Sequence, residues 1–217
     1  MNPSHKIVII GGTGRAGRHI AAEALDKGYQ VRMLIRNPDK LSNKDPRIEI
    51  IRGTIEDTDI KQLLKGCETV INTFGQPAKS KPIYSRLTQS ILQTMQELHI
   101  KRYIGVTGGS LTLEGDQKGF INKIGAKIFQ LLYGELLKDR LQEWRILNEY
   151  KQIEWSMVRL PFIVEGSKGG VIKEHLTDMP GTRITSGDIA EFLVRQIHDK
   201  TYVHRSPFIA NKRRDKL

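Results

Sequence analysis

Two rhythms of apolar residues alternate along the chain. Short β-rich runs appear at 6–10 (KIVII), 30–35 (QVRMLI), 47–53 (RIEIIRG), 68–74 (ETVINTF), 101–108 (KRYIGVTG), 154–161 (EWSMVRLP) and 207–211 (PFIAN). Most are rich in Val and Ile, as strands buried on both faces should be. Helical stretches lie between them. Residues 15–28 predict a helix that stops at Gly28, a residue suited to the left-handed turn beyond a helix end. In 83–98 the set Ile83, Leu87, Ile91, Met95 and Leu98 recurs every three or four positions, so one face is buried. Residues 120–149 predict a long helical stretch broken near Gly134. Residues 186–198 (SGDIAEFLVRQIH) predict a helix with Ser186 near its cap and Asp188 in its first turn.

Strands alternating with helices over the whole length predict an α/β fold: a doubly wound parallel sheet of six to seven strands, helices on both faces and a small C-terminal annex. Residues 1–217 are expected to form a single domain. Segments 109–119 and 162–185 fit the rhythm less well. Both follow strands at the carboxyl edge, where open α/β sheets bind ligands, so they read as walls of a substrate pocket; plain surface loops are the alternative.

The first strand runs into GGTGRAG, with Gly11, Gly14 and Gly17 three apart. Alone this spacing is weak. Here a strand precedes it, a helix follows and a second strand comes about 20 residues on, which is the context of a Rossmann-type dinucleotide-binding loop. Gly11 would let the chain turn sharply, Gly14 would let a pyrophosphate approach the backbone, and Gly17 would let the helix pack close to the strand. The free N–H groups at the helix start would face the phosphates. The competing reading is a glycine-rich turn without ligand. The second strand ends in Arg36, where an NAD site usually carries Asp or Glu. A guanidinium can grip a ribose 2′-phosphate with two parallel hydrogen bonds, and Arg15 in the loop is a second arm. The pair predicts NADP(H) in preference to NAD(H).

Charge and composition narrow the partners. The formal net charge is +11, which favours anionic ligands. The densest basic patch is the tail NKRRDKL (211–217), but no zinc-finger spacing or aromatic-interleaved basic stripe accompanies it, so nucleic acid is not an expected partner. No apolar run approaches the roughly 18 residues that span a bilayer, and the start MNPSHKIVII has no signal-peptide layout, so no membrane partner is expected. Cys67 is the single cysteine and the six histidines form no cluster, so no metal site is expected and a reducing cytoplasm is the simplest setting.

Taken together, GGTGRAGR, LIRNPDK, YIGVTGG, WSMVRLPF and TSGDIAEFL resemble the atypical short-chain dehydrogenase/reductases, specifically their NAD(P)H-binding, NmrA-like and biliverdin reductase B (flavin reductase)-like branch. The resemblance runs from Lys6 to about Asn211. It implies that the loop from Gly11 to Gly17, with Thr13, Arg15 and Ala16, holds the pyrophosphate and that Arg36 holds the 2′-phosphate. It implies further that Thr54 and Asp57 skirt the adenine and that Thr73, Phe74 and Gly75 line the ribose. Thr107, Pro161 and Phe162 would frame the nicotinamide.

Standard members of that superfamily use Tyr-x-x-x-Lys, because a four-residue step turns a helix by about 400° and puts both side chains on one face. None of the six tyrosines has Lys four positions later. Tyr133 and Lys138 are five apart, about 140° around a helix, and Tyr133 reads as a packed helix residue. Flavin reductase-like relatives tend to carry Thr-Ser after strand five and Pro-Pro-His after strand six; here those places read Thr107-Gly108 and Leu160-Pro161-Phe162. Thr107 and Ser110 remain as catalytic candidates, and His175 stands in a pocket loop without support. Ketone reduction needs a placed acid for the alkoxide. A flavin or quinone delocalises the incoming charge, so the protein need only stack two flat rings at roughly 3–3.5 Å. The expected function is therefore an NADP(H)-dependent oxidoreductase acting on a flavin, quinone or related small acceptor, as a monomer or homodimer. The alternatives are a non-catalytic NADP(H) sensor of the NmrA-like type and, less suited to the short C-terminal region, a nucleotide-sugar epimerase.

Overall fold

The computed structural model describes residues 5–40, 45–77 and 80–212. Strands β1 (Lys6–Ile10), β2 (Gln30–Ile35), β3 (Ile48–Arg52), β4 (Thr69–Asn72), β5 (Arg102–Gly108), β6 (Glu154–Leu160) and β10 (Phe208–Asn211) coincide with the seven predicted runs to within a residue or two. With β8 (Ile172–His175) they form one sheet in the order β3-β2-β1-β4-β5-β6-β10-β8. The pairings from β3 through to β10 are parallel, and β8 adds an antiparallel edge on β10. Segment 162–185 is thus partly strand: besides β8 it holds β7 (Phe162–Val164), which pairs in parallel with β9 (Arg183–Thr185) in a separate two-stranded sheet.

Helices cover both faces. In β1 the side chains alternate: Ile7 and Ile9 join one core, Val8 and Ile10 the other. The first core is closed by α1 (Ile20–Asp26) and α6 (Ser186–Arg195), with Ile20, Ala24, Ile189, Phe192 and Leu193 buried against the sheet. The second is closed by α2 (Ile60–Leu64), α3 (Tyr84–Glu97) and α5 (Gly134–Glu149), through Leu63, Leu87, Ile91, Met95 and Leu147. The predicted periodic residues of α3 are therefore its buried face. The long stretch breaks where expected, into α4 (Phe120–Leu132) and α5.

Two helix starts differ from expectation. The helix after the glycine loop begins at Ile20, not Arg15, because the Gly14 carbonyl accepts from the amides of both Gly17 and Arg18 and the chain turns irregularly until then. It ends before Gly28, which is left-handed at φ 86° as predicted. The last helix is capped by Thr185, whose hydroxyl accepts from the Asp188 amide at 3.1 Å, so Ser186 is the first helical residue instead of the cap. Residues 213–217 of the basic tail lie outside the described residues.

Candidate functional site

Because β1 to β6 are parallel, the segments leaving them gather at one edge of the sheet. The strand order reverses between β1 and β4, so the loops after these two strands flank the crevice where such sheets open. The glycine loop is built against the second of them. Gly11 is left-handed at φ 79°, and a Cβ there would stand 2.6 Å from the Thr73 backbone. A Cβ on Gly17 would stand 2.5 Å from the Gly11 carbonyl and 2.6 Å from the Thr73 hydroxyl. Gly17 thus serves closeness of the loop to itself and to β4, a tighter constraint than the helix–strand packing expected. Gly14 is exposed, and a Cβ there would be 3.2 Å from the Gly11 carbonyl. Among the described residues the amides of Thr13, Arg15 and Ala16 donate to no backbone carbonyl. Thr13 and Arg15 are exposed and Ala16 is buried in the core below.

Around this loop the other predicted residues fall in order. Arg36 follows β2, whose Leu34 pairs with Ile10, so Arg36 stands beside the glycine loop with an exposed side chain. Beyond β3, the Thr54 hydroxyl donates to the Asp57 carboxylate at 2.7 Å, so those two side chains engage each other. After β4, Thr73 is buried, and its amide and hydroxyl both donate to the Ile10 carbonyl, at 2.9 and 3.0 Å. That bond ties β4 to β1 and leaves Thr73 beneath the loop. The Phe74 amide donates to Asn72 Oδ1 and its ring meets Tyr84 edge-on, whereas Gly75 is exposed. At the far half, Thr107 is 4% exposed, Ser110 and Pro161 are half-buried, and Phe162 is 80% exposed.

With this geometry in place, the sequence profile of a family described as NAD(P)H-binding matches residues 11–200. The chain belongs to the NAD(P)H-binding family. The resemblance carried by the sequence motifs is thereby borne out, and the glycine cradle fits a dinucleotide: a turn kept free of side chains, amides unused by the backbone, and an exposed cation beside it. This NAD(P)H-binding chain is similar to the uncharacterized protein YwnB of Bacillus subtilis, 24% identical over 156 residues, 70% of each chain. Longer curated relatives match over only 22% to 34% of their own length. Among solved structures, a short-chain dehydrogenase/reductase of Veillonella parvula in complex with NADP superposes with a TM-score of 0.75 at 16% identity, over 97% of this chain and 96% of that one. A Streptococcus pneumoniae protein provisionally described as an NADH-flavin reductase does so with a TM-score of 0.76 at 21% identity, over 96% and 100%. These structural likenesses show the fold.

Segments 109–119 and 162–185, at the carboxyl edge of the sheet, are held by residues that the sequence motifs alone did not single out. Arg159 of VRLPF is 2% exposed. Its guanidinium pairs with both carboxylate oxygens of Asp116 at 2.7 Å, donates to the Leu176 and Ser206 carbonyls at 2.9 Å, and lies 3.5 Å over the Phe208 ring. One side chain therefore joins segments 109–119 and 162–185 to β6 and β10. The signal was present in the sequence as an Arg inside a buried strand, which must have partners. Lys118, also buried, donates from Nζ to the carbonyls of Gly109, Ser110 and Leu111 and to the Thr112 hydroxyl. Burial pulls its ammonium down to about 8, against the opposing pull of Asp116. Segment 109–119 is thus wrapped around Lys118, and Ser110 is held by its carbonyl. Segment 162–185 is pinned on the opposite side by ion pairs of Glu165 with Arg18 and of Lys168 with Glu23. The His175 ring is exposed and accepts the amides of Thr177 and Asp178, a turn-forming role. Tyr133 is half-buried at the α4–α5 break with its ring 4.7 Å from that of Phe129. Among the described residues no group of three or more His, Cys, Asp and Glu could hold a metal ion, and no helix is long and apolar enough to cross a membrane.

Proposed function

We propose that this chain binds NADP(H) in preference to NAD(H) along the carboxyl edge of the sheet and reduces a flat, electron-poor acceptor of the flavin or quinone type. The observation that carries the reading is the exposed Arg36 guanidinium beside a glycine loop with unused amides. In this reading the amides of Thr13, Arg15 and Ala16 receive the pyrophosphate, with Gly11, Gly14 and Gly17 keeping side chains out of its way. Arg36 and Arg15 grip the 2′-phosphate, Thr54 and Asp57 border the adenine, and Thr73, Phe74 and Gly75 run beneath the ribose. Bound there, the reduced nicotinamide supplies a hydride. Thr107, Ser110, Pro161 and Phe162 frame the ring, and segments 109–119 and 162–185 wall the acceptor pocket of a single domain. None of these groups is a strong acid, which suits an acceptor that delocalises its new charge and takes its proton from water. The one buried cysteine, Cys67, suits a reducing cytoplasm.

Titration calorimetry tests the cofactor assignment. Arg36→Asp sets two negative charges together, so NADPH affinity is expected to fall at least roughly tenfold, about 1.4 kcal/mol, while NADH affinity is retained. Equal losses for both would remove Arg36 from the 2′-phosphate. Gly14→Val should abolish binding of both nucleotides with the fold intact, since Gly14 is exposed.

A second reading, a non-catalytic NADP(H) sensor of the NmrA-like type, is favoured by Gly108 and Phe162 standing where flavin reductase-like relatives carry polar groups. NADPH oxidation with FMN, riboflavin or a quinone separates the two. Turnover well above background supports the enzyme; tight NADPH binding with no turnover on that panel supports the sensor.

A further inference from the structure

Helix α4 is turned inside out. Its half-buried residues are Asn122, Ala126 and Phe129, followed by Tyr133 at its end. Its large apolar residues face outward: Phe120 is 78% exposed, Ile121 84%, Ile124 44%, Ile128 55%, Leu131 87% and Leu132 66%. At 100° per residue these six occupy an arc of about 120°, and Lys123 and Lys127, both exposed, line one border of it. The orientation is fixed from within. Asp178 accepts from the Gly119 amide at 3.0 Å and from Asn122 Nδ2 at 2.7 Å, and Asn122 also donates to the Met179 carbonyl. An exposed apolar stripe of this kind marks an interaction surface.

We propose that α4 docks this protein on an anionic lipid surface, a peripheral contact that departs from the expectation of no membrane partner, which rested on the lack of a spanning run. No acidic residue occurs between Asp116 and Glu135, so the only charged side chains on α4 itself are Lys123 and Lys127. Asp178 meets the helix on its inward side at Asn122, and the whole chain carries a net charge of +11. A second copy would bring the same cations and the same net charge to the contact. A 13-residue helix is about 20 Å long and roughly 10 Å across, so one face buries a few hundred Å², well below the roughly 800 Å² per partner of a stable dimer. An apolar face with cations on its flank is instead the arrangement of helices that lie in a membrane interface. Helix α4 belongs to the connection from β5 to α5, so docking would bring the carboxyl edge of the sheet toward the lipid. This docking does not depend on the reaction proposed above, and its test does not involve the nucleotide.

Sedimentation with vesicles of phosphatidylcholine alone, or mixed with phosphatidylglycerol, tests it. The full chain is expected to bind the mixed vesicles, to bind the neutral ones much less, and to release at high salt. Each lysine contributes about fivefold, so Lys123→Glu with Lys127→Glu should weaken binding by well over tenfold. Ile124→Asp with Ile128→Asp should abolish it, while circular dichroism and the thermal midpoint stay unchanged. Absence of binding to mixed vesicles, or binding undiminished in the isoleucine variant, would overturn the proposal. So would light scattering that shows a dimer which the isoleucine variant dissociates, since the face would then belong to a second copy.

Discussion

The carboxylate of Asp188 is fully buried and accepts four hydrogen bonds: from the Gly169 and Gly170 amides at 2.9 and 3.0 Å, from the Thr185 hydroxyl at 2.6 Å and from Asn211 Nδ2 at 2.7 Å. Read from SGDIA it is an acid in a first helical turn, with a favourable dipole. Folded, it fastens the end of segment 162–185 and the last strand to α6. Burial pushes this carboxyl up, but the four donors outweigh that and hold it below its usual 3.8. A depressed carboxylate stabilises the fold fully above its unfolded value and loses that contribution as pH falls through the folded one. Asp188→Asn places an amide opposite two donors and should cost about 2–3 kcal/mol at pH 7. Urea unfolding checks it: below pH 4 the gap between wild type and variant should narrow. Gly17 was legible at this scale because a glycine spacing is local. Its contact with Thr73 was not, because 56 residues of chain separate them.

Among the elements, α3 shows what periodicity misses. Its buried face follows from Leu87, Ile91 and Met95, yet its N-cap position, Ile83, has no side chain able to cap. Asp139 of α5 does so instead, accepting from the Tyr84 and Ser85 amides at 2.8 and 3.2 Å. The Arg140 guanidinium lies 3.4 Å over the Tyr84 ring and pairs with the buried Glu143. Asp139→Ala should therefore lower stability by about 1–2 kcal/mol, read by thermal unfolding, and speed amide exchange in the first turn of α3. Helix α4 is the opposite case. Its apolar residues have a helical period, which by itself predicts a buried face, but the loop anchored on Asp178 turns that face out.

Across the whole molecule, one buried ion pair ties the two irregular segments at the carboxyl edge to the sheet. Arg159 and Asp116 lie 43 positions apart, and their side chains are 2% and 3% exposed. Arg159→Met would leave Asp116 buried and unpaired and should cost about 3–5 kcal/mol, with faster hydrogen exchange in 109–119 and in 172–176. Arg159→Met with Asp116→Leu should recover much of that loss, because no lone charge remains. If the single variant were as stable as the wild type, segments 109–119 and 162–185 would not depend on this pair.

Element type and order, the break at Gly134, the glycine cradle and the family were readable from the chain alone. The first three rest on features within about 20 residues, apolar period and glycine spacing, and the family rests on several such local motifs taken together along the chain. The antiparallel edge strand, the cap from Asp139, the Arg159 anchor and the outward face of α4 were not. Each depends on two distant segments meeting in the folded chain, and no local pattern records which partner a buried charge or an apolar stripe will find.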